Sequence, residues 1–146
     1  MEYRKLSGGE RVSTIGIGGG YLRESSPKEI ERILSTAMDR GITLLDLVMN
    51  DDAAMDPIAR ALRGKREKML TQMHFGVSYP KGIYARTRNP QKVQQAFEDQ
   101  LHRYGTDYTD IGLIHCIDDE TELEQVLHGG TMEYALKMKR AGAVRY

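Results

Sequence analysis

The chain has 146 residues, of which 40% are hydrophobic and 29% charged, and its 21 basic side chains balance 21 acidic ones. A neutral chain offers no basic surface for nucleic acid, and no apolar run reaches the roughly 20 residues of a membrane span, so we expect neither partner. The polar first residues and the single cysteine, Cys116, fit a protein of the cytoplasm.

The first part of the chain predicts a hairpin, a short strand and a clearly bounded helix. The hairpin covers 3–12 and the strand lies near 14–17. Ser26, Pro27 and Glu29 then combine a helix N-cap, a proline at the first helical position and a capping-box glutamate. An apolar stripe at helical spacing follows, and it consists of Ile30, Ile33, Leu34, Ala37 and Met38, with Gly41 as the stop.

Strands and helices alternate through the rest of the chain. Apolar runs predict buried strands over 42–48, 68–73 and 111–115. Apolar stripes at helical spacing predict helices around 55–62, 93–104 and 132–140, and the acidic residues at 118–120 are typical of a helix start. The alternation predicts an α/β fold with a parallel sheet, because each helix buries its stripe only by packing back on the sheet. An open doubly wound sheet and part of an eight-stranded barrel both fit this pattern.

Three predicted strands end near side chains that can carry chemistry. Asp46 lies toward the end of the first run, and His74 and His115 follow the next two. Parallel strands bring their carboxyl ends to one edge of a sheet, so we expect these side chains, Asp51 and Asp52 to lie close together. Carboxylates and imidazoles in contact either tune one another's pKa for proton transfer or bind a divalent metal such as zinc. Structural alternatives are a helix cap for Asp51 and a satisfied interior histidine for His115.

Two further features have structural explanations that compete with functional ones. The glycines at 16–20 are compatible with binding of a nucleotide phosphate, because glycine lets a backbone approach a phosphate closely. Residues 21–25 separate them from the capped helix, which favours a flexible loop at a strand end instead. Cys116 directly follows His115, and adjacent strand residues point to opposite faces, so we expect no Cys–His pair.

Over essentially its whole length the chain resembles the amino-terminal half of an aldo-keto reductase. The residues that carry this resemblance are 1–6, 12–18, Gly41-Ile42 leading to Asp46, 61–68, 101–110 and Leu113-Ile114-His115. The segment 115–130 is similar to the branch of the family that has a ferredoxin-like, iron–sulfur carboxyl-terminal domain. The resemblance implies a (β/α)8 TIM barrel, of which residues 1–146 are roughly the first four βα units and stop where the fifth strand begins.

The resemblance also implies an activity, the reduction of a small aldehyde or ketone by NADPH. The family uses a tetrad of Asp, Tyr, Lys and His in which the tyrosine is the general acid. Asp46 and His115 match its aspartate and histidine, while Asp51 stands where the tyrosine belongs and His74 where the lysine belongs. The expected site is therefore degenerate. Its catalytic residues are Asp46, Asp51, His74 and His115, and its cofactor-binding residues are Gly19, Gly20 and Asp46.

These departures leave two interpretations of function. An aspartate is ionised at pH 7 and lacks the proton of a tyrosine, so a reductase needs a proton from His74, His115 or an Asp51 of raised pKa. Alternatively, the chain is a non-catalytic relative that serves as a binding or assembly module. We expect residues 1–146 alone to bind no cofactor tightly, because the family holds it on later loops. We also expect them to form homo-oligomers, because half a barrel leaves apolar surface and sheet edges uncovered.

Overall fold

The computed structural model describes residues 1–48 and 52–146 as strands alternating with helices. In chain order the elements are β1 (Tyr3–Lys5), β2 (Arg11–Ser13), β3 (Ile17–Gly18), α1 (Pro27–Asp39), β4 (Leu44–Leu47), α2 (Asp52–Leu62), β5 (Leu70–Phe75), β6 (Val77–Ser78), β7 (Ala85–Arg86), α3 (Pro90–Tyr104), β8 (Ile111–Ile114), α4 (Glu120–His128) and α5 (Thr131–Arg140). Short 3-10 helices cover Gly19–Glu24, Arg66–Lys68 and Pro80–Gly82. The predicted hairpin is confirmed, because β1 and β2 pair antiparallel.

Helix α1 begins and ends where its sequence predicts. The Ser26 hydroxyl accepts a hydrogen bond from the Glu29 amide at 3.3 Å, and the Glu29 carboxylate accepts one from the Ser26 amide at 2.9 Å. This reciprocal pair satisfies two amides that a helix start leaves open. At the other end Gly41 has a φ of 78°, a left-handed conformation that costs glycine little. Between these two ends, the apolar stripe of α1 faces the core, and Ile30 and Leu34 in it are completely inaccessible to solvent.

The central sheet has the strand order β3-β4-β5-β8, and every neighbouring pair is parallel. Successive parallel strands are neighbours without a reversal of order, whereas a doubly wound sheet reverses at its switch point. The side chains of one face are buried under the helices, among them Leu45, Leu47, Met73 and Phe75. Sequential parallel strands with helices packed on one side form a partial (β/α)8 barrel, so the structure decides between the two architectures.

The opposite face of this sheet is much less covered, and it carries the polar residues that the sequence analysis singled out. Because side chains alternate along a strand, Asp46 on β4 faces away from the buried Leu45 and Leu47. Gln72 pairs with Asp46 in the register, and His74 lies two residues further along β5. In a complete barrel this face is the interior, and the carboxyl ends of its strands border the site.

The last residues of the chain pair with β8 as the next parallel strand would. The Thr109 amide donates to Ala143 O at 2.9 Å, and the Gly112 amide donates to Tyr146 O at 2.8 Å. Thr109 and Val144 form a parallel bridge. Only this isolated bridge forms here, so a fifth strand that begins at this point stays a prediction.

The structure also contains elements that the sequence patterns did not predict. The polar loop after β5 holds the antiparallel pair β6–β7, with Val77 opposite Arg86 and Ser78 opposite Ala85. Strands of two residues are too short to show a period, so they leave no pattern to read. Within residues 1–48 and 52–146, no helix has the length and apolar character needed to cross a membrane.

Candidate active site

Asp46, His74 and His115 meet at the carboxyl end of the sheet, as the sequence predicts. His74 Nε2 lies 2.6 Å from Asp46 Oδ1, and His74 Nδ1 lies 2.9 Å from His115 Nδ1. Strands β4, β5 and β8 bring the three together, because their parallel register aligns the ends from which these side chains project. The two imidazoles are nearly enclosed, at 6% and 8% exposure, whereas the Asp46 side chain is 35% exposed. The result is a continuous hydrogen-bonded series that runs from solvent into the site.

When both imidazoles are neutral, their hydrogen-bond partners indicate where their protons lie. A carboxylate accepts only, so His74 Nε2 carries a proton and donates it to Asp46. In neutral His74 the Nδ1 atom is then an acceptor, and His115 Nδ1 donates to it. That leaves His115 Nε2 as an acceptor at the open end of the series. The geometry therefore gives a directed chain of donors ending on Asp46.

Tyr84 forms a hydrogen bond with the open end of this series, and no sequence pattern indicated it. Its hydroxyl lies 2.8 Å from His115 Nε2. Tyr84 directly precedes β7, and the pairing of β7 with β6 brings it back toward the end of β5. No motif surrounds Tyr84 in the sequence, so only the β6–β7 hairpin reveals that it belongs to the site.

The expectation that Cys116 and His115 cannot meet is wrong. Cys116 Sγ lies 3.3 Å from His115 Nε2. Strand β8 ends at Ile114, and Cys116 has a φ of 38°, a left-handed conformation uncommon for a residue with a side chain. The alternation rule therefore no longer applies at these two residues, and the turn directs the thiol back to the imidazole.

Arg88 fixes the backbone that carries His115 and Cys116. Its Nη2 atom donates to His115 O at 2.7 Å and to Cys116 O at 2.5 Å. Gly76 makes room for this guanidinium, because a Cβ atom there would come within 2.7 Å of Arg88 Nη1. Gly76 also has a φ of 97°, which strains any other residue. The turn after β5 and the end of β8 are thus held together by one charged side chain.

Burial and neighbouring charges act in opposite directions on Asp46 and in the same direction on His115. Burial raises the pKa of Asp46, but the hydrogen bond from His74 and the attraction between the two outweigh it, so the net pKa is lowered. Burial is the main cause that lowers the pKa of His115, followed by the nearby His74, Arg88 and Arg86, while Asp46 acts weakly against them. At neutral pH the site therefore contains an ionised Asp46 and a neutral His115.

The lowered pKa of His115 predicts that acid destabilises the protein. Below the ordinary histidine pKa of about 6.5, the unfolded chain binds a proton at this residue before the folded chain does. The free energy of unfolding should therefore decrease as the pH falls from about 7.5 toward the folded-state pKa of His115, with most of the loss below about 6.5. Urea unfolding across this range measures the decrease, and the His115→Gln variant should show a smaller one. Equal decreases in both proteins would contradict the prediction.

The other predicted site residues have different outcomes. Asp51 lies outside the described residues. Gly19 packs against the end of β4, where a Cβ atom would come within 2.7 Å of Asp46 O, and Gly20 is in ordinary contact distance of Val48. Gly19 therefore has a packing reason to be glycine, and cofactor binding by Gly19 and Gly20 stays a prediction.

The metal alternative includes Asp51, which lies outside the described residues, so it stays a prediction. The described residues contain no group of three or more His, Cys, Asp or Glu side chains arranged to hold an ion. Both ring nitrogens of His74 are engaged, one with Asp46 and one with His115. A metal ligand needs a nitrogen with a free lone pair, and hydrogen bonds already engage both nitrogens of His74.

Comparison with known proteins matches residues 14–146 to the aldo/keto reductase family. Among curated proteins, the chain is similar to the aldo-keto reductase YhdN of Bacillus subtilis (strain 168), with 25% identity over 99% of this chain and 45% of that protein. It is also similar to the methylglyoxal reductase YeaE of Escherichia coli (strain K12), with 30% identity over 76% of this chain and 38% of that protein. The chain thus spans less than half the length of these two relatives.

Solved structures give the same result for the fold. The holo form of the aldo-keto reductase AKR11C1 from Bacillus halodurans matches all of this chain and 49% of its own, with a TM-score of 0.81 and 25% identity. An aldo-keto reductase from Klebsiella pneumoniae in complex with NADPH matches 99% of this chain and 48% of its own, with a TM-score of 0.73 and 25% identity. The chain therefore superimposes on about half of each of these proteins.

Proposed function

Because the chain belongs to the aldo/keto reductase family, we propose that it forms the first half of the barrel of an NADPH-dependent reductase of aldehydes or ketones. The observation that carries the proposal is the hydrogen-bonded series from Asp46 through His74 to His115 at the carboxyl end of the sheet. It joins the two positions that match the family's aspartate and histidine. Since the chain spans less than half of its curated relatives, the activity is proposed for the full-length protein.

The site differs from the family pattern in a way that changes the source of the proton. His74 stands where the family has lysine, and an imidazole both accepts and donates a proton near neutral pH, which an ammonium group does not. Asp46 holds the ring of His74 in one orientation through its 2.6 Å contact. We propose that the imidazole pair holds the proton that the reduction consumes and that Asp46 orients the pair.

The backbone beside Asp46 is open to solvent at Gly18. Gly18 is the register partner of Asp46, and apart from Gly18 and its two chain neighbours, no atom of residues 1–48 and 52–146 lies within 4 Å of the point where a Cβ atom of Gly18 would stand. In the proposed enzyme Gly19, Gly20 and Asp46 border the nicotinamide end of NADPH, and the cofactor supplies the hydride when it is bound. The Klebsiella pneumoniae structure with NADPH supports this choice of cofactor.

Titration of the full-length protein with NADPH tests the proposal. The nicotinamide fluorescence should change in a saturable manner, and addition of a simple aldehyde should consume the bound NADPH. The His115→Ala variant should bind NADPH but lose about a hundred- to ten-thousand-fold in turnover. A full-length protein without saturable NADPH binding would contradict the oxidoreductase function.

The second candidate function is a non-catalytic binding or assembly module, and His74 in the place of the lysine is the observation that favours it. The same titration separates the two functions, because a module of this kind consumes no NADPH in the presence of aldehydes. Turnover that disappears in the Asp46→Ala variant would exclude the module.

A further inference from the structure

Tyr84 is the one hydroxyl group in contact with the Asp46–His74–His115 series among the described residues. It lies 2.8 Å from His115 Nε2, and its side chain remains 45% exposed at the open end of the sheet. It can therefore contact the imidazole and a bound molecule at the same time. We propose that Tyr84 is the proton donor of the carbonyl reduction and that His115 and His74 return a proton to it, an inference that rests on the proposed function.

The position of Tyr84 is well defined, although it lies outside the main sheet. Its ring packs edge-on against Tyr79 and against His115, with centroid distances of 5.8 and 5.9 Å. The next residues, Ala85 and Arg86, form β7, and Arg86 pairs with Asp118 beyond the end of β8. Contacts on both sides therefore hold the phenol against the imidazole before any substrate binds.

The measured distances permit two arrangements of protons along the same series. In the first, Tyr84 donates to His115 Nε2, His115 Nδ1 donates to His74 Nδ1, and His74 Nε2 donates to Asp46. In the second, one added proton makes His74 an imidazolium that donates from both nitrogens. His115 then accepts at Nδ1 and donates from Nε2 to the Tyr84 oxygen, so the Tyr84 proton is free to point at a substrate.

The step from the second arrangement to the first is balanced in protons and electrons. Tyr84 would give its proton to the carbonyl oxygen, which would take the π electron pair of the C=O bond, while bound NADPH would supply the hydride to the carbonyl carbon. The Tyr84 oxygen regains a proton from His115 Nε2, and His115 Nδ1 takes one from His74 Nδ1. His74 becomes neutral and still donates to Asp46. One proton has left the protein in the alcohol, and solvent replaces it for the next turnover.

The surrounding charges favour storage of the added proton on His74 rather than on His115. Asp46 contacts His74 directly, whereas Tyr84, Cys116 and Arg88 contact His115. Arg88 and the nearby Arg86 are themselves paired with the carboxylates of Glu122 and Asp118. Burial and the neighbouring cations lower the pKa of His115, and burial and Cys116 raise the pKa of the Tyr84 phenol. The phenol thus keeps its proton until a substrate takes it.

The Tyr84→Phe variant of the full-length protein tests the proposal, with Tyr108→Phe as the matched control. Tyr108 lies at the opposite end of the sheet, where its ring stacks between Arg66 and Arg145. We expect Tyr84→Phe to lower kcat for a simple aldehyde by about a hundred- to ten-thousand-fold while NADPH binding is unchanged. Tyr108→Phe should keep the wild-type kcat. An unchanged kcat in Tyr84→Phe, with an active wild type, would overturn the role of Tyr84 and leave the reductase function standing.

Nitrogen-15 NMR of the histidine rings provides a second measurement that does not depend on activity. The His115 Nε2 resonance should shift in Tyr84→Phe and stay unchanged in Tyr108→Phe, because only the first variant removes the hydrogen bond to that atom. If the His115 Nε2 resonance did not shift in Tyr84→Phe, that result alone would overturn the proposed proton path. A wild type without any reduction would instead overturn the proposed function and the catalytic role of Tyr84 with it, even if the NMR contact is present.

Discussion

Replacing Asp110 with alanine is expected to lower the free energy of unfolding by about 3–5 kcal/mol, since it removes one partner of a buried ion pair. The Asp110 side chain is only 3% exposed. Its Oδ2 atom accepts from Arg66 Nη2 and from the Thr71 amide, both at 2.9 Å, and its Oδ1 atom accepts from Arg145 Nη1 at 3.0 Å. The substitution leaves the enclosed Arg66 guanidinium without its carboxylate, which is the main source of the cost.

The control for this prediction is Glu31→Ala, which breaks an ion pair of similar length at the surface. Glu31 Oε1 lies 2.8 Å from Arg60 Nε, and both side chains are largely accessible to water. An exposed pair of this kind contributes about 0.2–1 kcal/mol. Denaturant unfolding of both variants at neutral pH gives the comparison. Similar losses in the two would show that the Asp110 network does not stabilise the fold as its burial implies.

The second large effect concerns activity, and it follows from the contact between Asp46 and His74. In the full-length protein Asp46→Asn should lower kcat for aldehyde reduction by about a hundred-fold or more, because an amide lacks the negative charge that favours a proton on His74. The asparagine side chain has the size of the aspartate and can still accept a hydrogen bond. A neutral amide therefore takes the place of the carboxylate that lies 2.6 Å from His74, and no cavity forms. We expect the variant to fold normally and to bind NADPH.

The matched control is Asp39→Asn, the same change at an exposed position at the end of α1. Asp39 has no place in the site, so this variant should reduce aldehydes at the wild-type rate. Steady-state kinetics of the three proteins with one aldehyde is the measurement. If Asp46→Asn kept the wild-type kcat, the carboxylate would have no part in proton transfer.

Much of the fold was predictable because its signals are local. The capping box at Ser26 and the helical stripe that follows are properties of neighbouring residues, and both appear where expected. The apolar runs likewise predicted strands β4 and β5, although β4 is fully buried on one face only. The choice between a doubly wound sheet and a barrel depends on strand order, which is a relation between distant segments. Periodicity contains no record of that order, so it had to come from the sheet itself or from the family resemblance.

The candidate site divides in the same way. Asp46, His74 and His115 were predictable because each closes a strand, and parallel strands place their ends together. Tyr84 and the thiol of Cys116 were not, because a two-residue hairpin and a left-handed turn bring them to His115. The network around Asp110 was also invisible in the sequence, since its partners Arg66 and Arg145 lie far away along the chain.

The central claim is that this fold supports hydride transfer to a carbonyl group, and isotopic labelling tests it most directly. The full-length protein is incubated with an aldehyde and NADPH that carries deuterium at C4 of the nicotinamide, prepared separately with the label on each face. We predict that one of the two cofactors gives an alcohol with deuterium on the former carbonyl carbon. An alcohol without deuterium from both cofactors, or no alcohol at all, would contradict the claim.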